Sequence, residues 1–158
     1  MSELLRPELT VAAVVERRGR YLVIEEMVQG RPVFNQPAGH VEPGESLVEA
    51  VVRETLEEAA WHLSPDFITG IYLFRDDATS RTYLRVVFTG SVYDHQPERD
   101  LDDGILRSLW LSREDLATRA ERLRSPLVLR SIDDYLLGHR LPADPGGLEG
   151  LAARAVRV

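Results

Sequence analysis

Between Ser46 and about Ala60, the apolar residues Leu47, Ala50, Val51 and Leu56 recur at helical spacing, opposite a face that carries Glu54, Glu57 and Glu58. The pattern predicts one amphipathic helix. Gly44 interrupts what precedes it, and Ser46 with Glu49 three residues on forms a capping-box signal. Positions 54, 57 and 58 are neighbours on a helix surface, so three carboxylates crowd one face and repel one another. A cation at that face relieves them. With neither His nor Cys among these positions, hard carboxylate oxygens suit Mg²⁺, or Mn²⁺ in its place, better than zinc. An acidic helix taken alone would instead read as a solvated face.

The rest of the chain predicts strands around this helix. Leu9 to Val15 is β-branched and apolar, Arg18-Gly19-Arg20 is a turn signal, and Tyr21 to Ile24 completes a hairpin. Strands are also expected at Ile68 to Phe74, at Thr82 to Val92, where Leu84, Val86 and Phe88 alternate with Tyr83, Arg85 and Val87, and at Ile105 to Leu111. Two helices follow, Ser112 to about Leu123 and Ser125 to about Leu137, each opening on a Ser that can cap it. The expected class is α/β, a mixed sheet between helical layers. A length of 158 residues with 44% apolar content suits one domain, with its core at about 7–142 and a tail over 143–158 that lacks periodicity.

Composition removes several kinds of chemistry. The chain has no cysteine, which excludes disulfides, thiolate catalysis and cysteine-bound zinc. No segment approaches the roughly 20 apolar residues of a membrane span, and no export signal is legible, so the expectation is a cytoplasmic protein with no membrane partner, either monomer or homodimer. A formal net charge of −7 opposes binding to DNA. All 19 basic residues are Arg, the side chain that grips phosphate with a planar fork.

Five residues separate Gly39 from Glu45, seven separate Glu45 from Arg53, and Arg53-Glu54 is followed by Glu57-Glu58. This spacing resembles the Nudix box. The resemblance implies a Nudix-type α/β/α sandwich that hydrolyses phosphoanhydrides of a small phosphorylated substrate with a divalent metal. It assigns Glu54, Glu57 and Glu58 to the metal, with the backbone carbonyl of Ala38 as a further ligand, and makes Glu45 and Arg53 orienting residues. Arg53 can pair with Glu45 across the loop, so the structural and family readings of that residue coincide. A substrate already carrying about three to four negative charges needs metal between itself and the carboxylates. Glu54 is the candidate general base, with the acidic loop Asp100, Asp102 and Asp103 as rivals.

The box also departs from the family pattern: Thr55 and Trp61 replace aliphatic residues, and Ala60 stands where Gly usually ends the helix, so the helix is expected to run on or end differently. Outside the box, Asn35 to Glu42 and Leu123 to Val128, continued by Tyr135, Gly138, Arg140 and Pro142, are similar to a phosphatase branch of the family. That likeness implies hydrolysis of nucleoside diphosphates and triphosphates and of thiamine-type pyrophosphates, with release of orthophosphate. Arg85 is either solvent-facing or a phosphate contact. Arg124 either precedes a helix or binds substrate, and His40 is either a local hydrogen-bonding residue or a phosphate contact. Tyr72 and Phe74 either fill the core or stack on a base. Two other functions compete: a nucleotide sensor without turnover, whose mark would be lost glutamates, and removal of pyrophosphate from RNA 5′ ends, disfavoured by the acidic charge.

Overall fold

A computed structural model describes residues 4–143. Strand β1 (Glu8–Val14) is buried on both faces: Val11 and Ala13 enter one apolar cluster, Ala12 and Val14 another. Such a strand belongs at the centre of a layered fold. β2 (Glu16–Arg17) and β3 (Arg20–Val28) meet across Arg18 and Gly19, both at positive φ, in the two-residue turn that matches strand twist. A second turn of this kind, Gln29-Gly30, joins β3 to β4 (Arg31–Asn35), and β5 (Ala38–His40) follows. Neither β4 nor β5 was expected. Both are too short to show a period, and β4 carries Pro32.

Next come α1 (Leu47–Ala59), β6 (His62–Asp76), β7 (Arg81–Tyr93) and β8 (Ile105–Ser112). The chain continues through α2 (Arg113–Ala117), a 3₁₀ turn at Ala120–Arg122, α3 (Leu127–Leu136) and β9 (Leu141–Pro142). One sheet has the order β5-β1-β7-β6-β9, with β1 and β7 parallel and the remaining pairs antiparallel. In the other, β3 pairs with β2, β4 and β8. Leu47, Ala50 and Val51 of α1 pack on Val11, Leu22, Ile24 and Phe88, while Leu116, Val128 and Ile132 of α2 and α3 pack on Val14, Val23 and Val87 from the opposite side. The result is the expected α/β sandwich, with one mixed sheet and one antiparallel sheet. Among the described residues no helix is long and apolar enough to cross a membrane.

Three local expectations change. The helix starting after Ser112 is correctly capped, with Asp115 completing a capping box, but it stops at Ala117 rather than about Leu123. Leu123 instead leaves in extended form and bridges Phe34 of β4. The last helix begins at Leu127, with Ser125 Oγ accepting the Leu127 N–H at 3.3 Å from just outside it. The third concerns Ala60, which ends α1 where the family's glycine would, in the left-handed region at φ 57°. Its N–H reaches Leu56 O and its carbonyl accepts from Gln96 N–H, and its methyl is buried. Burying about one methyl group offsets strain of about 1 kcal/mol. The expected loose tail lies outside the described residues except for Ala143, which is buried.

One glycine is fixed by close approach. Pro65 of β6 faces Gly90 of β7 beside a register shift, and a Cβ on Gly90 would overlap the backbone of Ser64 and Pro65. Backbone cannot rotate away as a side chain can. Gly90→Ala is therefore expected to destabilise the protein by about 1–3 kcal/mol, read as a lowered midpoint in urea; an unchanged midpoint would show that the bulge accommodates the methyl.

Candidate active site

The capping box fixes where α1 begins: Ser46 Oγ accepts the Glu49 N–H at 3.1 Å, and Glu49 Oε2 accepts the Ser46 N–H at 2.7 Å. This sets the rotation of the acidic face against β5. That face is not solvated, contrary to what helical periodicity alone suggests. Glu54 and Glu58 are 7% and 8% exposed, and Glu57 is half-buried. Gly39 makes the packing possible, because a Cβ there would overlap the Glu54 carboxylate. From the same loop, Ala38 donates its N–H to Glu58 Oε2 at 2.8 Å.

Arg53 is the hub of this region. Its Nε and Nη2 grip Glu45 at 3.0 and 2.7 Å, its Nη1 reaches Glu54 at 2.8 Å and Glu57 at 3.0 Å, and Nη2 also donates to the His40 carbonyl at 3.0 Å. Glu45 in turn accepts the Glu42 N–H at 2.7 Å. The guanidinium thus ties α1 to the loop before it, as the spacing suggests. Its hydrogen bonds hold the Glu45 carboxyl below the usual carboxylate range.

Charge remains unbalanced deeper in. Burial pushes Glu58 up to about 9, and the charges of Glu54, Glu26 and Asp102 add to that, against the Ala38 hydrogen bond. Burial also raises Glu54, with Arg53 opposing. Of the acidic loop, Asp102 joins the helix: its N–H bonds to the Glu57 carbonyl, and one carboxylate oxygen each of Glu54, Glu57 and Asp102 lies within 4.8 Å of the other two. Asp100 and Asp103 stay exposed outside that cluster. This all-oxygen donor set, in which buried Glu54 resists ionising alone, fits a hard divalent cation; Glu58, buried on the same helix face, stands outside the three-oxygen cluster.

On the other side of the Ala38–His40 loop lies a cavity of about 200 Å³, with Arg85, Arg124 and His40 all on its wall. The solvent-facing reading of Arg85 is corrected: the residue pairs with Thr10 and Tyr72 on neighbouring strands, and its Nε and Nη1 are buried with no hydrogen-bond partner. Burial, and then the charge of Arg124, disfavour its cation. Arg124 Nε lies 3.7 Å from Glu26, and its N–H bonds to the Phe34 carbonyl. The segment carrying it is held by buried Glu25, which accepts from both Arg107 and Arg122. His40 is bonded to Glu8 at 2.6 Å and largely exposed at the rim. Phe74 lines the cavity, whereas Tyr72 packs into the core and donates to Asp134 at 2.6 Å.

Thr10 and Glu26, which the sequence does not single out, also line this cavity, as does Asn35, the first residue of the stretch similar to the phosphatase branch. The missed signal is the Gln29-Gly30 turn, which predicts β4 and so places Asn35 at a strand end beside the box loop.

The comparisons with known proteins agree with this geometry. The Nudix domain matches residues 6–130. The phosphatase NudJ of Escherichia coli K12 is 39% identical over 142 residues, covering 89% of this chain and 91% of that one, and the NudJ of Shigella sonnei gives the same figures. Among solved structures, a Nudix hydrolase from Nitrosomonas europaea has a TM-score of 0.86 at 44% identity, covering 88% of this chain and 95% of its own. A MutT Nudix hydrolase from Burkholderia pseudomallei shares the fold at a TM-score of 0.70 and 20% identity, over 82% and 98% of the two chains. With box spacing, buried carboxylates and whole-domain similarity in agreement, the chain belongs to the Nudix family and is a hydrolase of phosphorus-containing anhydrides.

Proposed function

We propose that this enzyme uses Mg²⁺, with Mn²⁺ able to substitute, to hydrolyse nucleoside diphosphates and triphosphates and thiamine-type pyrophosphates, releasing orthophosphate. The observation that carries the reading is the juxtaposition of the carboxylate cluster with a cavity holding an unpartnered guanidinium, the two sharing the Ala38–Gly39 loop. Glu54, Glu57 and Glu58 would hold the cation, with Asp102 and the Ala38 carbonyl beside them. A bound divalent ion supplies charge neutralisation for the diphosphate and acidifies a water.

The protein's own groups do the rest. Arg53 and Glu45 position the glutamates without touching substrate. Arg85 and Arg124 bind phosphate oxygens, and His40 sits at the entrance. Glu54 accepts the proton of the attacking water, with Asp102 as the alternative, because both lie in the cluster. Glu58 is the poorer base, since its carboxyl already accepts the Ala38 N–H.

The test is a substrate panel assayed with Mg²⁺, with orthophosphate and pyrophosphate quantified separately. Orthophosphate is expected from both a nucleoside diphosphate and its triphosphate. If triphosphates yield only pyrophosphate and a monophosphate, the phosphatase reading is wrong while membership of the family stands.

A further inference from the structure

Four side-chain nitrogen or oxygen atoms are buried without a hydrogen-bond partner among the described residues: Thr10 Oγ1, Asn35 Oδ1, and Nε and Nη1 of Arg85. All belong to residues that line one cavity, beside the Ala38–His40 loop. Folded proteins leave few such atoms, and a shielded guanidinium without an acceptor is costlier than a neutral group. The concentration of all four at one place marks a wall built for a ligand.

The charges say which kind. Glu26 is engaged by the Asn35 amide at 3.3 Å and by Arg124 at 3.7 Å, and Asp76 at the far rim accepts the Ala78 N–H at 2.9 Å. Among the described residues Arg85 makes no ion pair, and its Nε and Nη1 have no acceptor; the charges of Glu26 and Glu58 favour its cation from a distance, while burial and the charge of Arg124 oppose it. The acceptor oxygens of an oxyanion satisfy both guanidinium groups and the Thr10 hydroxyl, and a protonated phosphate oxygen donates to Asn35 Oδ1, which is itself an acceptor. A volume of about 200 Å³ admits a compact oxyanion. It falls short of the roughly 300–1,000 Å³ of sites that engulf a drug-sized molecule.

We infer that this cavity is a subsite for the terminal, non-esterified phosphoryl group of the substrate, gripped by Arg85 with Arg124 and Ser125, while the organic part of the molecule stays outside it. The inference rests on the proposed hydrolysis, since Ala38 and Gly39 line the cavity and also touch Glu58 and Glu54, so a group held here is one residue layer from the carboxylates. Two consequences follow. Substrates whose outer phosphate is free are preferred over those capped on both sides, and the nucleobase matters little, because the cavity's unpaired donors are spent on phosphate.

Orthophosphate itself is the probe. In metal-free protein, titrating orthophosphate into wild type, Arg85→Gln and Arg124→Gln by calorimetry is expected to show binding to wild type that weakens at least tenfold in Arg85→Gln and less in Arg124→Gln. In the metal-loaded enzyme, Arg85→Gln should raise KM more than it lowers kcat. It should also reduce the preference for a nucleoside diphosphate over the same diphosphate capped by a sugar. Circular dichroism checks that each variant folds; if Arg85→Gln does not, Arg124→Gln and Arg85→Lys carry the comparison.

Unchanged orthophosphate affinity in the folded variants overturns the inference. So does an Arg85→Gln enzyme that alters only the ranking of nucleobases, which would make the cavity a base pocket. If orthophosphate binding depends on Arg85 but wild type hydrolyses no diphosphate or triphosphate, the proposed function falls and the subsite stands.

Discussion

Glu58→Gln is expected to leave the metal-free fold about as stable as wild type at pH 7, to remove the rise in Tm that Mg²⁺ produces, and to cut turnover by about 10²-fold or more. The first expectation follows from burial. With its pKa pushed up to about 9, the Glu58 carboxyl is protonated at pH 7 when no metal is bound. Glutamine is its near-isostere, and its amide oxygen can still accept the Ala38 N–H. Sequence alone suggests that three like charges strain the metal-free helix; in the structure a proton on Glu58 and the Arg53 fork already relieve most of that strain. The second and third expectations follow from the proposed role of Glu58 as an anionic oxygen ligand, since metal raises Tm only by binding the folded state better than the unfolded one. A Glu58→Gln protein that turns over normally and still gains Tm from Mg²⁺ would exclude Glu58 from the site.

The same residue gives a pH test with a defined sign. Glu58 moves from an ordinary 4.5 to about 9 on folding, so between those values the folded state holds a proton that the unfolded state has released. Stability of metal-free wild type must then fall as pH rises through that window, and the contribution is fully present only below it. Glu54, raised by burial in the same direction, adds to the slope. In chelator, Tm of wild type should drop more between pH 6 and pH 9 than Tm of Glu58→Gln, which has no proton to lose. Parallel pH profiles for the two proteins would mean that Glu58 ionises freely and that the cluster is not short of positive charge.

How much of this was legible follows from which interactions are local. The α1 capping box, the Arg18-Gly19 turn and the spacing of Glu45, Arg53, Glu54, Glu57 and Glu58 are short-range patterns, and each is present in the structure as read. Burial of Glu54 and Glu58 was not legible, because it depends on the Ala38–Gly39 loop folding over a face whose helical period looks solvent-exposed. Asp102 reaches the cluster through a backbone bond from its N–H to the Glu57 carbonyl, and no local pattern singles it out from Asp100 or Asp103. Arg85 was ambiguous for a similar reason. Alternation places it on one face of β7 but does not show that α3 and the segment around Arg124 roof over that face. Ala60 shows the converse: a propensity rule was sound, and a tertiary bond from Gln96 with a buried methyl overrode it.

Arg53 should be the least replaceable residue of the region. Its guanidinium serves three carboxylates and one carbonyl at 2.7 to 3.0 Å, a geometry that needs the planar fork and that an ammonium cannot reproduce. Arg53→Met leaves Glu45, Glu54 and Glu57 without their shared cation. Breaking a fully buried pair costs about 3–5 kcal/mol; with the Arg53 side chain 23% exposed, solvent screening brings the expectation to about 2 kcal/mol. The hydrogen bonds of Arg53 hold the Glu45 carboxyl below the usual carboxylate range, a stabilisation lost as pH falls, so the gap in Tm between variant and wild type should narrow on acidification. Arg53→Lys keeps the charge and should recover part of the stability, yet it cannot hold Glu45 with two parallel bonds while also reaching Glu54 and Glu57. Turnover should therefore stay about 10²-fold below wild type in both variants, in kcat rather than KM, if Arg53 has the proposed role of positioning the glutamates without meeting substrate. A lysine variant with wild-type kcat would show that charge alone suffices there and that the fork is only a structural brace.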